Sequence, residues 1–362
     1  MKSTESNRLG FIDWTRGVAT LIMLQGHVFH SFTQNDLRDS GPYIISQFVG
    51  GMPPAVFLFL TGVTLAFLMD GGERKGLPTG ARLQSALRRA AYLLGIAFLF
   101  RLQLWSFAWG QSPLADLFRV DILNCMGAAI AVLSVMSLFT TRERVRLCAI
   151  LGLAIACAAP LISQLDWSGV PGPVKQYIAP DLGSFGFFPW AAFLAFGMSA
   201  GSIFRLAQRD HMNRVMQWSA MIGFSLVLAG QYFGNLPYSL YRNSDFWLNS
   251  PALVFIKLGA ILLGLCFAYL WTTYAAPQGW SWVRQLGTTS LLVYWLHTEI
   301  VYGRWLGYWK ERLSIGQTAV VAVVIIVIML GLSFLKTLVQ NWRHSTGPIG
   351  YPAPEVPRVS GD

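Results

Sequence analysis

The stretch RLGFIDWTRGVATLIMLQGHVFH, Arg8 to His30, places ionisable side chains inside the first long apolar run of the chain. Asp13, Arg16, His27 and His30 all fall within it. A charge in hydrocarbon is costly unless it is paired or lines a wet cavity. The stretch therefore predicts a membrane-spanning helix whose ionisable residues have a functional reason to lie there.

Composition extends this prediction to the whole chain. Of its 362 residues, 54% are hydrophobic and 12% are charged, whereas a soluble domain carries about 25% charged residues. Apolar runs long enough for a helical crossing recur, and none alternates as a barrel strand does. We predict an all-α polytopic bundle of about ten transmembrane helices, over residues 11–32, 44–69, 87–109, 119–139, 146–165, 185–204, 215–233, 251–274, 286–303 and 317–338.

The lysines and arginines orient this bundle. Every second connection between spans is rich in them, and short cytoplasmic loops retain positive charge, so we expect both termini to be cytoplasmic. The net charge of +10 follows from this asymmetry, and no nucleic-acid partner is expected because the basic residues flank spans instead of covering one globular face. We predict a transmembrane domain over residues 1–343 and a disordered cytoplasmic tail over residues 344–362, which contains four prolines.

The first span arranges its ionisable residues along one stripe. Arg16 and His27 are eleven residues apart, about three helical turns, and Asp13 lies three residues before Arg16. The stripe has two parts, with Asp13 and Arg16 in the inner half of the membrane and His27 in the outer half. The alternative is an Asp13–Arg16 pair at the interface and a hydrogen-bonded core histidine at His27.

Other spans carry polar residues to the level of His27. The predicted topology places a further set in the outer half, and we interpret it as a polar cavity open to the extracytoplasmic side. There a histidine acts as a base or is itself acylated, a carboxylate of Asp121 or Glu299 orients its ring, and arginines stabilise an oxyanion. This set consists of Arg101, Gln103, Arg119, Asp121, Asn124, Lys257, His297 and Glu299.

The inner half suits a phosphate-bearing cofactor that is held from the cytoplasm. Asp13, Arg16 and Thr61 lie there beside basic loops, and guanidinium groups match phosphate geometry. Ordinary positive-inside bias is the alternative explanation for the loops. The four cysteines lack metal-ligand spacing, so no metal is expected.

These motifs also resemble a known family. The opening LGFIDWTRGVATLIMLQGH resembles the first helix of transmembrane acyltransferases. The chain is similar to the DUF1624 group, which is related to heparan-alpha-glucosaminide N-acetyltransferase and to the wider acyltransferase-3 family. The further segments that carry the resemblance are PAVFLFLTG (54–62), FRLQ (100–103), VDILNCMG (120–127), FPW (188–190) and SLLVYWLHTEIVYG (290–303).

The resemblance implies transfer of an acetyl or other acyl group from cytoplasmic acyl-CoA to a carbohydrate outside. It implies His27 as the catalytic histidine. His30 stands where the family leads us to expect an acidic residue, so the choice between the two histidines stays open. We predict a multi-pass inner-membrane acyltransferase that uses acetyl-CoA, with a homo-oligomer left open.

The predicted site has two sets of residues. The catalytic set is His27, His30, Asp121, His297 and Glu299, and the donor-binding set is Asp13, Arg16, Thr61, Arg101 and Arg119. A secondary transporter or flippase is the alternative, in which the buried charges bind substrate or relay protons. A non-catalytic envelope assembly factor is a third possibility.

Overall fold

The computed structural model describes residues 9–110, 112–207, 211–276 and 279–345. These residues contain helices and no β-strand, which confirms the all-α prediction. Most of the predicted tail, 344–362, lies outside the described residues. The helices are α1 Gly10–Phe32, α2 Gly41–Gly50, α3 Pro53–Arg74, α4 Thr79–Phe107, α5 Ile122–Leu133, α6 Thr141–Ser163, α7 Gly172–Ile178, α8 Phe187–Leu206, α9 Met212–Gly234, α10 Pro251–Leu270, α11 Trp282–Thr288, α12 Ser290–Tyr302 and α13 Ile315–Ser345.

Six segments of the described residues are long and apolar enough to cross a membrane. The helices α1 and α9, each of 23 residues, are not among them. The chain is thus a multi-pass helical protein, while the count of ten spans and the cytoplasmic termini stay predictions. The six segments are Gly41–Arg74, Thr79–Phe107, Thr141–Ser163, Phe187–Leu206, Pro251–Ala275 and Ile315–Trp342.

Three predicted spans are not continuous helices. Residues 44–69 divide between α2 and α3 because Pro53 and Pro54, which have no N–H, suit the first turn of a new helix. Residues 286–303 divide between α11 and α12 at Thr289. Residues 119–139 become a helix only from Ile122 to Leu133, followed by a 3-10 turn.

Helix α1 lies between two hydrophobic clusters. Its first turn contributes Phe11 and Ile12 to the larger cluster, which also contains buried residues of α3 to α6 and α8 to α10. Its second half contributes Leu24, Val28 and Phe32 to a cluster with α11, α12 and α13. The residues of α1 therefore face both halves of the bundle.

Two glycines let α1 and α11 approach closely. A Cβ on Gly17 would collide with the Val283 carbonyl group, and a Cβ on Gly287 would collide with the carbonyl group of Asp13. Farther along, the Ser31 hydroxyl donates to the Val301 carbonyl oxygen at 2.8 Å. Helix α12 therefore runs parallel to α1 and brings its last turns beside the end of α1.

Candidate active site

Two histidines meet where α1 and α12 run side by side. His27 Nδ1 lies 2.8 Å from His297 Nε2, and the two rings stack with centroids 5.1 Å apart. His297 is fully buried, whereas His27 is partly buried. The structure thus pairs two of the predicted catalytic residues, which are 270 residues apart in the sequence.

The remaining contact of His297 fixes where the protons lie on the neutral rings. His297 Nδ1 is 2.7 Å from the Val293 carbonyl oxygen, which can only accept a hydrogen bond. His297 Nδ1 therefore carries the proton, and its Nε2 accepts one from His27 Nδ1. The consequence is that Nε2 of His27 has a free lone pair and can act as a base.

Aromatic rings surround this pair. The Tyr302 ring lies edge-on to His27 with centroids 5.3 Å apart, and the Tyr294 ring lies edge-on to His297 at 5.8 Å. His30 is exposed, and its Nδ1 is 3.5 Å from the Tyr302 hydroxyl, the upper limit of a hydrogen bond. The second candidate histidine therefore lacks the close, buried partner that His27 has.

Asp121 forms the start of α5 and also pairs with α4. Its Oδ1 accepts from the backbone N–H groups of Leu123 and Asn124 at 3.0 and 3.3 Å, as an N-cap residue does. Its Oδ2 lies 3.2 Å from Arg101 Nε. Arg119 has a different partner, because it is exposed and donates to the Gly183 carbonyl oxygen at 3.2 Å.

Glu299 is a buried carboxylate with one hydrogen-bonded oxygen. Trp305 Nε1 donates to its Oε1 at 3.1 Å. Its Oε2 is buried and has no hydrogen-bond partner in the part of the chain that the structure describes. An acceptor without a donor is unfavourable in a buried site.

The carbonyl oxygens at the end of α12 accept hydrogen bonds from a lysine in the following loop. Lys310 Nζ donates to the carbonyl oxygens of Tyr302 and Gly303 at 2.7 Å each. Burial lowers the pKa of Lys310, and the nearby Glu299 carboxylate acts in the opposite direction. The loop thus supports the turn of α12 that carries Glu299 and Tyr302.

A cavity of about 280 Å³ opens next to these residues. Arg101 and Arg119, predicted for the donor, line it together with Glu299 and with Tyr302, whose ring also contacts His27. Trp105 and Asp116 contribute an aromatic face and a second carboxylate. The cavity therefore has cations, carboxylates and aromatic rings within one small volume. The Tyr302 side chain separates it from the histidine pair.

The other donor-side residues lie elsewhere in the bundle. Asp13 and Arg16 form an i,i+3 ion pair at 3.3 Å near the start of α1. Thr61, in the middle of α3, donates its hydroxyl to the Met126 sulfur at 3.2 Å. The predicted donor-binding residues therefore divide between the first turns of α1, the interior and the cavity beside α12.

Two expectations about the outer polar set are wrong. The group that orients His27 is the imidazole of His297 and not the carboxylate of Asp121 or Glu299, which have the partners described above. Lys257 was expected in the same cavity, but it lines a separate one between α2, α9 and α10. The position of a residue along its span gives its depth in the membrane, and a helical wheel gives the face of the helix on which it lies. Neither gives its neighbours on other helices.

Sequence reasoning missed several contributors to the site. Trp305 and Lys310 follow the last turn of α12, and Tyr302 was quoted only as part of a motif. The one available signal was the density of aromatic and basic residues in RWLGYWK, 304–310. That pattern is equally typical of an interfacial loop.

A comparison with protein families identifies the family of this chain. The family described as heparan-alpha-glucosaminide N-acetyltransferase, catalytic, matches residues 8–241, more than half of the chain. No curated protein matches the chain. The match includes His27, Arg101, Arg119 and Asp121, while α11 to α13, with His297 and Glu299, follow it. The chain therefore belongs to the heparan-alpha-glucosaminide N-acetyltransferase catalytic family, a family of membrane acetyltransferases.

Proposed function

We propose that this protein transfers an acetyl group from cytoplasmic acetyl-CoA to a hydroxyl or amino group of an extracytoplasmic carbohydrate, with His27 as the base. The observation that carries the proposal is the contact of 2.8 Å between His27 Nδ1 and His297 Nε2. It leaves the lone pair of His27 Nε2 free to take a proton. His297 is a positioning residue, since its Nδ1 is held by the Val293 carbonyl oxygen.

The reaction requires two proton transfers, one from the acceptor to His27 and one from His27 to the leaving group. His27 Nε2 takes the proton of the acceptor O–H or N–H while that oxygen or nitrogen forms a bond to the acetyl carbonyl carbon. The carbon–sulfur bond then breaks, and the proton passes from His27 to the departing sulfur, which leaves as the thiol. The charge on His27 is transient, so the neutral pair with His297 is restored after each cycle.

The cavity beside α12 is the proposed acceptor site. Glu299 Oε2 needs a donor, and hydroxyl and amino groups of a sugar supply one. Trp105 provides a flat apolar surface for the face of a sugar ring, and the volume of about 280 Å³ limits the site to a small part of a glycan. Tyr302 borders both the cavity and His27, so the acceptor atom reaches the base past this ring.

The proposed donor site lies toward the first turns of α1 and is cytoplasmic in our topology. Arg16 lies there, and Arg284 Nη1 is 3.7 Å from the position a Cβ on Gly10 would take. Arg89 Nη2 donates to Thr64 on α3 at 3.2 Å. Guanidinium groups bind phosphate in a bidentate manner, which fits the phosphates of coenzyme A.

The test uses purified full-length protein reconstituted into sealed liposomes, acetyl-CoA labelled in the acetyl group, and envelope glycan. We expect His27→Ala to lower the transfer rate by a factor of about 100 to 10,000, the usual contribution of a general base. His30→Ala should retain most of the rate. His211→Ala is the matched control, because His211 is exposed just before α9.

The outcomes separate the remaining mechanisms. Equal rates for His27→Ala and wild type would remove His27 from catalysis, and a loss confined to His30→Ala would assign the base to His30. Label that remains on the wild-type protein in the absence of glycan would identify an acylated histidine in place of a base. Glycan movement across the membrane without acetyl transfer would support the transporter alternative.

A further inference from the structure

A second cavity, of about 390 Å³, lies between α2, α9 and α10. Its walls are mostly apolar and include Met52, Leu253 and Ile256. It shares no lining residue with the cavity beside α12. In our topology it opens at the depth of the outer leaflet, because α9 ends and α10 begins on that side.

One cation lines this apolar space. Lys257 Nζ donates to the Gly51 carbonyl oxygen at 3.1 Å and lies 5.1 Å from the centre of the Trp190 ring. The ion pairs of the described residues do not include Lys257. A carbonyl oxygen and a ring face orient an ammonium group without neutralising it. A charge at membrane depth normally has a counter-ion.

The mouth of the cavity is aromatic and exposed. Phe48 and Trp247 line it with 65% and 64% of their surfaces accessible, and their rings pack edge-on at 6.4 Å. The neighbouring Ile44 and Ile45 of α2 are also exposed. Exposed rings beside a membrane span are typical of the region between headgroups and acyl chains.

We infer that this cavity binds the phosphate headgroup of an anionic membrane lipid, with Lys257 as the counter-ion and Phe48 and Trp247 against its acyl chains. Charge complementarity selects an anion, and the apolar walls with their exposed mouth select one that carries hydrocarbon. The amide side chains of Gln47 and Asn235 also line the cavity and are donors for phosphate oxygens. The inference is independent of the acetyl-transfer proposal.

The test is native mass spectrometry of the delipidated full-length protein. It is titrated with phosphatidylglycerol or with phosphatidylcholine that has the same acyl chains. One lysine near a membrane surface contributes about 1 kcal/mol to the binding of an anionic lipid, or about fivefold. We expect wild type to prefer the anionic lipid by at least that factor, and Lys257→Met to lose the preference.

Two further variants complete the design. Lys257→Arg keeps the charge and should keep the preference. Lys175→Met is the matched control, because Lys175 is exposed on α7 and lies outside this cavity. If Lys257→Met does not fold, Lys257→Gln replaces it as the variant without the charge, and the same loss of preference is expected.

Three results would overturn the inference. They are equal affinity of wild type for both lipids, an unchanged preference in Lys257→Met, and equal losses in Lys257→Met and Lys175→Met. A parallel titration adds inorganic phosphate at increasing concentration. Displacement of phosphatidylglycerol at millimolar phosphate would assign the site to a free anion and contradict a lipid occupant, whereas retention of the lipid supports it.

Discussion

His297 determines which ring nitrogen of His27, the proposed base, carries the proton. It is fully buried and makes two short contacts, to Val293 and to His27. A carboxylate would orient an imidazole and also stabilise its charged form. A second neutral imidazole provides the orientation with less electrostatic stabilisation, so the positive charge on His27 is short-lived in this site.

We expect His297→Ala to lower kcat by roughly 100-fold, the order of the loss when a reacting group is misplaced by about 1 Å. The KM for acetyl-CoA should change less, because His297 is far from the first turns of α1. His297→Gln should recover part of kcat, since its amide oxygen can accept from His27 Nδ1. Steady-state kinetics of the two variants measures both effects.

A purely structural role for His297 would give a different pattern. Both substitutions would then lower the amount of folded protein, and the kcat of the folded fraction would match wild type. Size-exclusion profiles of the purified variants report the folded fraction. A glutamine variant no more active than the alanine variant would also contradict the positioning role.

The sequence pointed to His27 because a histidine in an apolar run is energetically unusual. The same argument identified His297 and Glu299, yet it assigned Glu299 to the histidine ring and gave His297 no partner. Trp305 donates to Glu299 from a loop, and loops have no periodicity from which a contact could be predicted. His27, His297 and Glu299 were thus predictable as polar residues in apolar spans, whereas their contacts were not.

Among the helices, the contact of α1 with α11 sets the position of α12. Gly17 and Gly287 are the residues at closest approach, where backbone carbonyl groups occupy the space of a side chain. Small residues at such contacts let membrane helices pack through their backbones. Only Thr289 separates α11 from α12. The distance between α1 and α11 therefore also determines the distance between His27 and His297.

We expect Gly17→Ala to destabilise the protein by about 1–3 kcal/mol, the usual cost of overpacking, and to lower kcat by separating the two histidines. Thermal unfolding in detergent and the transfer assay check the two effects. Gly264→Ala in α10 is the control, since nothing lies within 4 Å of its Cβ position. It should be neutral or slightly stabilising, and wild-type behaviour of Gly17→Ala would refute the proposed coupling.

The hydrophobicity of the sequence predicted the approximate positions of the helices. It did not predict the breaks that divide some spans into two helices. The break at Thr289 lies within an apolar stretch that a hydropathy profile reads as one span. The break between α2 and α3 had a visible signal in Gly50, Gly51 and the two prolines that follow Met52. Glycine and proline mark such breaks locally, and Gly287 lies two residues before the break at Thr289.

Across the whole molecule, a polar cluster joins the ends of α3, α6 and α8. Arg144 is fully buried and donates to Glu73 Oε2 at 3.1 Å and to the Phe139 carbonyl oxygen at 2.6 Å. Asp70 accepts from Arg205 Nε at 2.6 Å. These contacts fix the ends of three helices of the larger hydrophobic cluster, far from the histidine pair in the sequence.

We expect Arg144→Met to lower the free energy of unfolding by about 1–3 kcal/mol, because the Phe139 carbonyl oxygen loses this donor and Glu73 loses one of its donors. Unfolding in mixed micelles with increasing dodecyl sulfate measures this change. Arg146→Met is the control, since Arg146 is exposed on the same helix. Equal losses in the two variants would show that net charge, and not the buried contact, is responsible.

The sequence by itself determined that the chain is all-α, that it enters the membrane repeatedly, and that its first helix carries ionisable residues at two depths. These properties follow from hydrophobicity and helical geometry, which act over a few turns and are readable locally. Only the tertiary structure decided that His27 meets His297, that Asp121 meets Arg101, and that Lys257 lines a cavity of its own. Contacts between residues far apart in the chain depend on the rotation and spacing of whole helices, and local periodicity does not contain that information.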